Sequence, residues 1–92
     1  MPTIKIDTTE SETGWAFKVT VSNGTSTVHN VNLSKEYYSH LSLPDVKPDT
    51  LVESSFMFLL EREPKEMILG TFDLQIISRY FPEYETRISE YV

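Results

Sequence analysis

The chain has 92 residues, of which 39% are hydrophobic and 12% aromatic, a composition typical of one folded domain spanning residues 1–92. It contains no cysteine, which excludes disulfide bonds, thiolate metal sites and thiol nucleophiles. Fourteen acidic residues against eight basic ones give a net charge of −6, which disfavours non-specific binding to nucleic acids and to anionic membranes. The first ten residues lack the apolar core of a signal peptide, and no apolar run approaches membrane-spanning length, so we expect a cytoplasmic protein.

The first third of the chain alternates apolar and polar residues, which is the pattern of half-buried strands. We predict strands over residues 3–7, 15–22 and 25–33, the second being the strongest. In the third strand, His29 falls on the face that we expect to be better buried. The face of the second strand that we expect in the core carries Trp15, Phe17, Val19 and Val21.

The Asn-Gly pair at positions 23–24 is a hairpin signal between the second and third strands. A two-residue loop would set asparagines beside the aromatic face of the second strand. A three-residue loop over residues 22–24 pairs Val19 with Thr27 and matches the apolar faces better. We therefore predict the three-residue loop, with Gly24 at positive φ.

Helical segments follow the strands. Ser34 is a good N-cap for a short helix over residues 35–41. Two further helices are expected, one over residues 73–81, which Asp73 can cap, and one over residues 82–92. Residues 65–71 indicate at most a helical turn. Strands first and helices later predict the α+β class: a three-stranded antiparallel meander in the N-terminal half, packed by three to four short helices in the C-terminal half.

The most apolar stretch of the chain, residues 51–64, predicts a central helix that stops at Pro64. Asp49 or Thr50 can cap its start, and Glu53 completes a capping box if Thr50 is the N-cap. Its apolar side chains fill an arc of roughly 200° around the axis, wider than the stripe of a surface helix, so the fold should cover it on two sides. Ser55 lies inside this arc, where a neighbouring element can approach closely. The opposite face carries Met57 together with Glu53, Ser54 and Glu61.

Met57 is an apolar residue on the polar face of this helix, and the C-terminal segment is rich in aromatic residues. Aromatic residues and methionine are enriched at protein interfaces. The alternative is that the tyrosines pack in the core and that Met57 is singly exposed, as apolar residues often are. The candidate partner-binding residues are Met57, Tyr80, Tyr84 and Tyr91.

Motifs for catalysis and metal binding are missing from the sequence. There is no glycine-rich phosphate loop, and the two histidines, His29 and His40, stand in no recognisable motif. Glu61 and Glu63 diverge by roughly 200° around a helix, so they do not converge on a metal ion. We predict no catalysis, no cofactor and no metal. If a small ligand binds between sheet and helices, the residues lining its pocket would be His29, Tyr37 and Tyr38.

The segments FMFLLEREP, ILGTFDL and RYFPEYETRI, within residues 56–88, resemble short bacterial and archaeal proteins of unknown function. The resemblance covers about half of the chain and implies no activity. It therefore leaves our leading hypothesis unchanged: a small acidic domain that binds protein, either itself or a partner.

Residues 27–63 run in the order strand, serine cap, short helix, loop, longer helix, which is similar to a ribbon-helix-helix unit. That resemblance implies a dimeric transcriptional regulator or antitoxin whose paired strands enter the major groove of DNA. The segment carries three basic residues against six acidic ones, a poor match to a phosphate backbone. We expect no binding to generic duplex DNA.

Overall fold

The structure, a computed structural model, describes residues 2–92. Three 3-10 turns link the later elements, at Lys65–Met67, Leu74–Ile76 and Ile88–Glu90. The predicted α+β class is confirmed, since an antiparallel meander is followed by short helices. The elements in chain order are β1 (Thr3–Glu10), β2 (Gly14–Asn23), β3 (Thr25–Ser34), α1 (Lys35–Leu41), α2 (Pro48–Leu60), β4 (Thr71–Asp73), α3 (Ile77–Tyr80) and α4 (Tyr84–Arg87).

The sheet has four strands in the order β1-β2-β3-β4, and the fourth was not predicted. β4 runs parallel to β3, with Val31 opposite Phe72. The expected helical turn within residues 65–71 is present at Lys65–Met67. Asp73 holds the N-cap position of the turn at Leu74–Ile76, as expected, but without a side-chain hydrogen bond, and Thr71–Asp73 before this turn is extended. Three residues are too few to show an alternating pattern, so only the pairing with β3 makes this segment a strand.

The β2–β3 hairpin turns at Gly24, whose φ of 82° confirms the predicted left-handed conformation. The predicted pairing of Val19 with Thr27 is wrong, because Val19 lies opposite His29 and Ser22 lies opposite Ser26. The register differs from the prediction by two residues. Because the side-chain period of a strand is two, the same residues still face the core.

The core lies between the inner face of the sheet and α2. Ser54, predicted on the polar face of α2, is also buried. The arc of buried residues around α2 is therefore even wider than expected. The buried apolar side chains of β2, β3 and α2 are Phe17, Val19, Val21, Val31, Leu33, Leu51, Val52, Phe56, Phe58 and Leu59.

α2 begins earlier than predicted. Lys47 occupies the N-cap position without a side-chain cap, and Pro48 is the first helical residue, so the two predicted N-caps, at positions 49 and 50, are wrong. Proline suits the first helical position because its fixed φ is already helical and its missing N–H would have no partner there. The helix ends at Leu60, before Pro64.

The C-terminal segment is shorter in helix than predicted and wraps around the end of α2. Three aromatic rings surround Phe58 edge-on at centroid distances of 5.3 to 6.0 Å: Phe81, Tyr84 and Tyr91. The Arg62 guanidinium lies 3.6 Å from the Phe58 ring centroid and donates a hydrogen bond to Glu83. The carboxyl of Glu83 has its pKa lowered by a backbone hydrogen bond and by Arg62.

The outer face of the sheet carries no helix among residues 2–92, and its side chains are mostly polar and exposed. Asp7, Lys18, Asn30 and Thr71 form one row of directly opposed residues across all four strands. Within the same described range, no helix is long and apolar enough to cross a membrane.

Candidate functional site

The four predicted partner-binding residues do not form one surface. Met57 is 48% exposed beside β1, whereas Tyr80 is 65% exposed in a different groove with Leu69 and Phe81. Tyr91 is half-buried, and its hydroxyl donates to Glu61. The prediction for Tyr84 is wrong, because this side chain is fully buried and cannot reach a partner.

His29 is buried and both of its ring nitrogens are used. Nδ1 lies 2.8 Å from the carbonyl oxygen of Leu69, which only accepts, so Nδ1 carries the proton. Nε2 then accepts from the Thr27 hydroxyl at 2.8 Å, and the ring packs against Phe56. His29 therefore ties the segment before β4 to the sheet, and it does not line any of the main grooves of residues 2–92.

Tyr37 and Tyr38 point away from His29. The Tyr37 hydroxyl donates to Glu85 at 2.7 Å, and burial together with this hydrogen bond raises the pKa of Tyr37 well above the usual range. The Tyr38 hydroxyl donates to the carbonyl oxygen of Val46, and its ring meets Trp15 edge-on. Both hydroxyls are engaged as donors, and Tyr37 stays neutral at physiological pH.

The three residues of the predicted ligand pocket share none of the main grooves in the part of the chain that the structure describes. Tyr37 alone borders an open, polar groove of about 510 Å³ at the end of the sheet, together with Trp15, Asn32 and Asp73. No basic side chain lines this groove. Residues 2–92 also contain no group of three or more histidine, aspartate or glutamate residues placed to hold a metal ion.

The free edge of β1 is the most regular unpartnered feature of the fold. All eight residues of β1 pair one-to-one with β2, with no bulge and no proline inside the strand. No other backbone hydrogen bond reaches residues 3–10 from the rest of the described chain. The outer edge of β1 therefore presents unpaired N–H and C=O groups along its length, which is a template for another strand.

Natural proteins commonly guard such an edge with bulges, prolines or inward-pointing charges. On β1 the inward-facing residues are Ile4, Ile6, Thr8 and Glu10. Glu10 is the last residue of the strand and forms an ion pair with Lys35. The central part of the edge therefore has no inward charge. Only Lys5 and Asp7, on the outer face, are charged there.

A groove of about 490 Å³ runs beside this edge, between β1 and α2. Its floor and walls are apolar, and Glu53 and Glu61 stand at its rim. Met57, the predicted partner-binding residue on α2, lies in this groove, so the structure joins it to the β1 edge. The apolar lining is Pro2, Ile4, Met57 and Leu60.

The edge of β1 is the site that the sequence analysis missed. The alternation of Ile4 and Ile6 with polar residues predicts a strand, but no local pattern indicates that it is an edge strand of the sheet. The strand also extends three residues beyond the predicted end, to Glu10.

The ribbon-helix-helix arrangement uses β3, and in this fold strands of the same chain pair on both sides of β3. β2 bonds to one side of β3 and β4 to the other. On its side β4 pairs only with Asn30–Asn32, so strand pairing with a second chain is blocked at the middle of β3. No protein-family model, no curated protein and no solved structure matches the chain.

Proposed function

We propose that this protein is a non-catalytic protein-interaction domain that binds an extended segment of a protein beside β1. The observation that carries the proposal is the position of the regular, unpaired edge of β1 alongside the apolar groove that contains Met57. Strand addition uses both features, since main-chain hydrogen bonds supply affinity and pockets for alternate side chains supply specificity.

The geometry supports each part of this mode. A strand added to β1 would turn every second side chain toward the inner face of the sheet, where Ile4 and Ile6 are half-buried. These side chains would meet the groove wall formed by Met57 and Leu60. The acidic rim disfavours acidic side chains at this position and favours apolar, neutral or basic ones.

The proposal includes no catalytic step, no cofactor, no nucleic acid and no membrane, and it places the protein in the cytoplasm. It is supported by the acidic net charge and by the hydrogen-bonded, fully engaged state of His29, Tyr37 and Tyr38. A domain of this kind acts by holding another chain.

The test is a titration with a fluorescent peptide, PTIKIDTTE, copied from residues 2–10, with a scrambled peptide of the same composition as control. We expect saturable binding of the first peptide, measured by anisotropy, and chemical-shift changes in the β1 amides. Met57→Glu should weaken binding at least roughly tenfold, because it puts a charge in an apolar groove.

The matched control is Met67→Glu, which makes the same change at a methionine that is 67% exposed outside this groove. It should leave binding unchanged. Equal binding of the scrambled peptide, or equal affinity of Met57→Glu and the unchanged protein, would contradict the proposal.

A further inference from the structure

We infer that the segment bound beside β1 is β1 of a second copy, antiparallel, with a two-fold axis perpendicular to the sheet at Ile6. This inference rests on the proposed function, since it names the occupant of the same edge. The result would be one continuous eight-stranded sheet with all helices of both copies on one face.

Symmetry restricts the registers that two β1 strands can take. A two-fold axis makes residue i of one copy face residue j of the other, and residue j face residue i. If the axis is perpendicular to the sheet, inner-face residues oppose inner-face residues, so one residue of β1 must lie opposite its own copy. A two-fold axis within the sheet plane cannot relate two antiparallel strands that lie side by side, so the perpendicular axis is the one that applies.

The charges of β1 select among the remaining registers. A centre at Lys5 opposes two lysines, and a centre at Asp7 opposes two aspartates, both of which are unfavourable. A centre at Ile4 or Thr8 leaves a large part of the strand unpaired. The centre at Ile6 instead puts each Lys5 opposite the second copy's Asp7, which forms two complementary pairs.

The same register suits the rest of the sheet. Asp7 already lies opposite Lys18 of its own chain, so it would stand between Lys18 and the second copy's Lys5. On the inner face, Ile6 would oppose Ile6, Ile4 would oppose the second copy's Thr8, and Pro2 would oppose the second copy's Glu10, a carboxylate that is exposed and paired with Lys35 of its own chain. Lys5 and Asp7 cancel each other, so the only uncancelled charge of β1 is Glu10, which pairs with Lys35, although the chain carries −6.

The first test introduces one cysteine at a time. The natural chain has no cysteine, so each variant carries a single thiol. Only a residue at the two-fold axis lies directly opposite itself, within the range that a disulfide spans. We expect Ile6→Cys to form a disulfide-linked dimer under mild oxidation. Ile4→Cys and Thr8→Cys should each stay monomeric on a denaturing gel, because the two copies of each cysteine are then about 13 Å apart along the strand. A mixture of these two variants should cross-link, because position 4 of one copy lies opposite position 8 of the other.

The second test exchanges charges. Lys5→Asp and Asp7→Lys should each raise the dissociation constant of the dimer at least roughly tenfold, because each opposes like charges twice. A mixture of the two variants should form a heterodimer, since positions 5 and 7 are then both acidic in one chain and both basic in the other. Lys47→Asp and Glu36→Lys make the same net charge changes at exposed sites outside β1 and should leave the dimer unchanged.

Light scattering on the same samples separates this inference from the proposed function. A dimer that cross-links through Ile4→Cys alone, or through no β1 position, would overturn the register. A chain that stays monomeric at high concentration but binds the PTIKIDTTE peptide would overturn the second copy as natural occupant and leave strand addition standing. A monomer that binds no peptide would refute both.

Discussion

The hydroxyl oxygens of Ser55 and Tyr84 lie 2.7 Å apart inside the core, joining α2 to α4. Ser55 also donates to the carbonyl oxygen of Leu51 at 2.7 Å, so its own proton is used and the hydrogen bond to Tyr84 is donated by the tyrosine. The small serine side chain leaves room for the tyrosine ring to pass over the helix and contact Phe58. This contact anchors the C-terminal segment on the buried side of α2.

Removing either hydroxyl should destabilise the protein, and the two costs should differ. Tyr84→Phe leaves Ser55 with its bond to Leu51, so we expect a loss of about 1 kcal/mol in the free energy of unfolding. Ser55→Ala leaves the buried Tyr84 hydroxyl without a partner, at a cost of about 1–3 kcal/mol. Urea denaturation measures both.

The double variant should cost less than the sum of the two single ones, because it leaves no unpaired donor. Strict additivity in the double-mutant cycle would mean that the two hydroxyls do not interact.

Stability should fall at alkaline pH. Burial raises the pKa of Tyr84, and burial with the Glu85 hydrogen bond raises that of Tyr37, so both stay protonated in the folded chain. In the unfolded chain tyrosines ionise near pH 10. The stabilisation is therefore complete below about pH 10 and is lost as the pH rises above it, because the unfolded state then releases protons that the folded state retains.

Denaturation midpoints between about pH 8 and pH 11, which bracket the ordinary tyrosine pKa, measure this effect. Tyr84→Phe should flatten the decline, whereas Tyr80→Phe, which changes a side chain that is 65% exposed, should not. Identical slopes for the two variants would contradict the role given to the buried hydroxyl.

The three glycines should respond differently to alanine. At Gly14 a Cβ atom would lie 2.1 Å from the carbonyl oxygen of Leu33, so the backbone must move, at a cost of about 1–3 kcal/mol or more. At Gly24 there is space but φ is +82°, which costs about 1–2 kcal/mol for an L-residue. At Gly70 nothing lies within 4 Å, so alanine should be neutral or stabilise by about 0.4–1 kcal/mol.

Thermal denaturation of the three alanine variants gives this ranking directly. A Gly14→Ala protein as stable as Gly70→Ala would refute the close approach of β2 and β3 at that point.

Generic duplex DNA should not bind. Affinity that is independent of base sequence comes from lysine and arginine releasing counterions, and this chain has an excess of acidic residues. A gel shift with random duplex in ~150 mM salt should stay flat up to micromolar protein. Saturation with a steep salt dependence would contradict this prediction and restore the nucleic-acid hypothesis.

Local patterns in the sequence were sufficient for several features. The alternation from Trp15 to Val21 predicts which face of β2 is buried, and Ser34 predicts the start of α1, where its hydroxyl accepts from the Tyr37 amide. The wide apolar arc of α2 predicts a helix covered on two sides. These features depend on the periods of the strand and the helix, which act over a few residues and leave a visible pattern.

Other features depend on contacts between distant segments. The β2–β3 register is offset by two residues from the prediction because both registers put the same side chains in the core. The hydroxyl of the buried Tyr84 depends on Ser55 for its hydrogen-bond partner. The Nδ1 of His29 is hydrogen-bonded to the carbonyl oxygen of Leu69, which lies in the segment before β4. A sequence pattern shows which face of an element is apolar but not which element covers it.

The candidate site belongs to the second group. The sequence shows Met57 as an apolar residue on a polar helix face and shows Ile4 and Ile6 as part of a strand. It does not show that Met57 and Ile4 line the same groove. Only the strand order of the sheet leaves β1 with one edge unpaired, next to α2. Which backbone groups remain free is decided by long-range pairing, because every strand has the same donors and acceptors whatever its sequence.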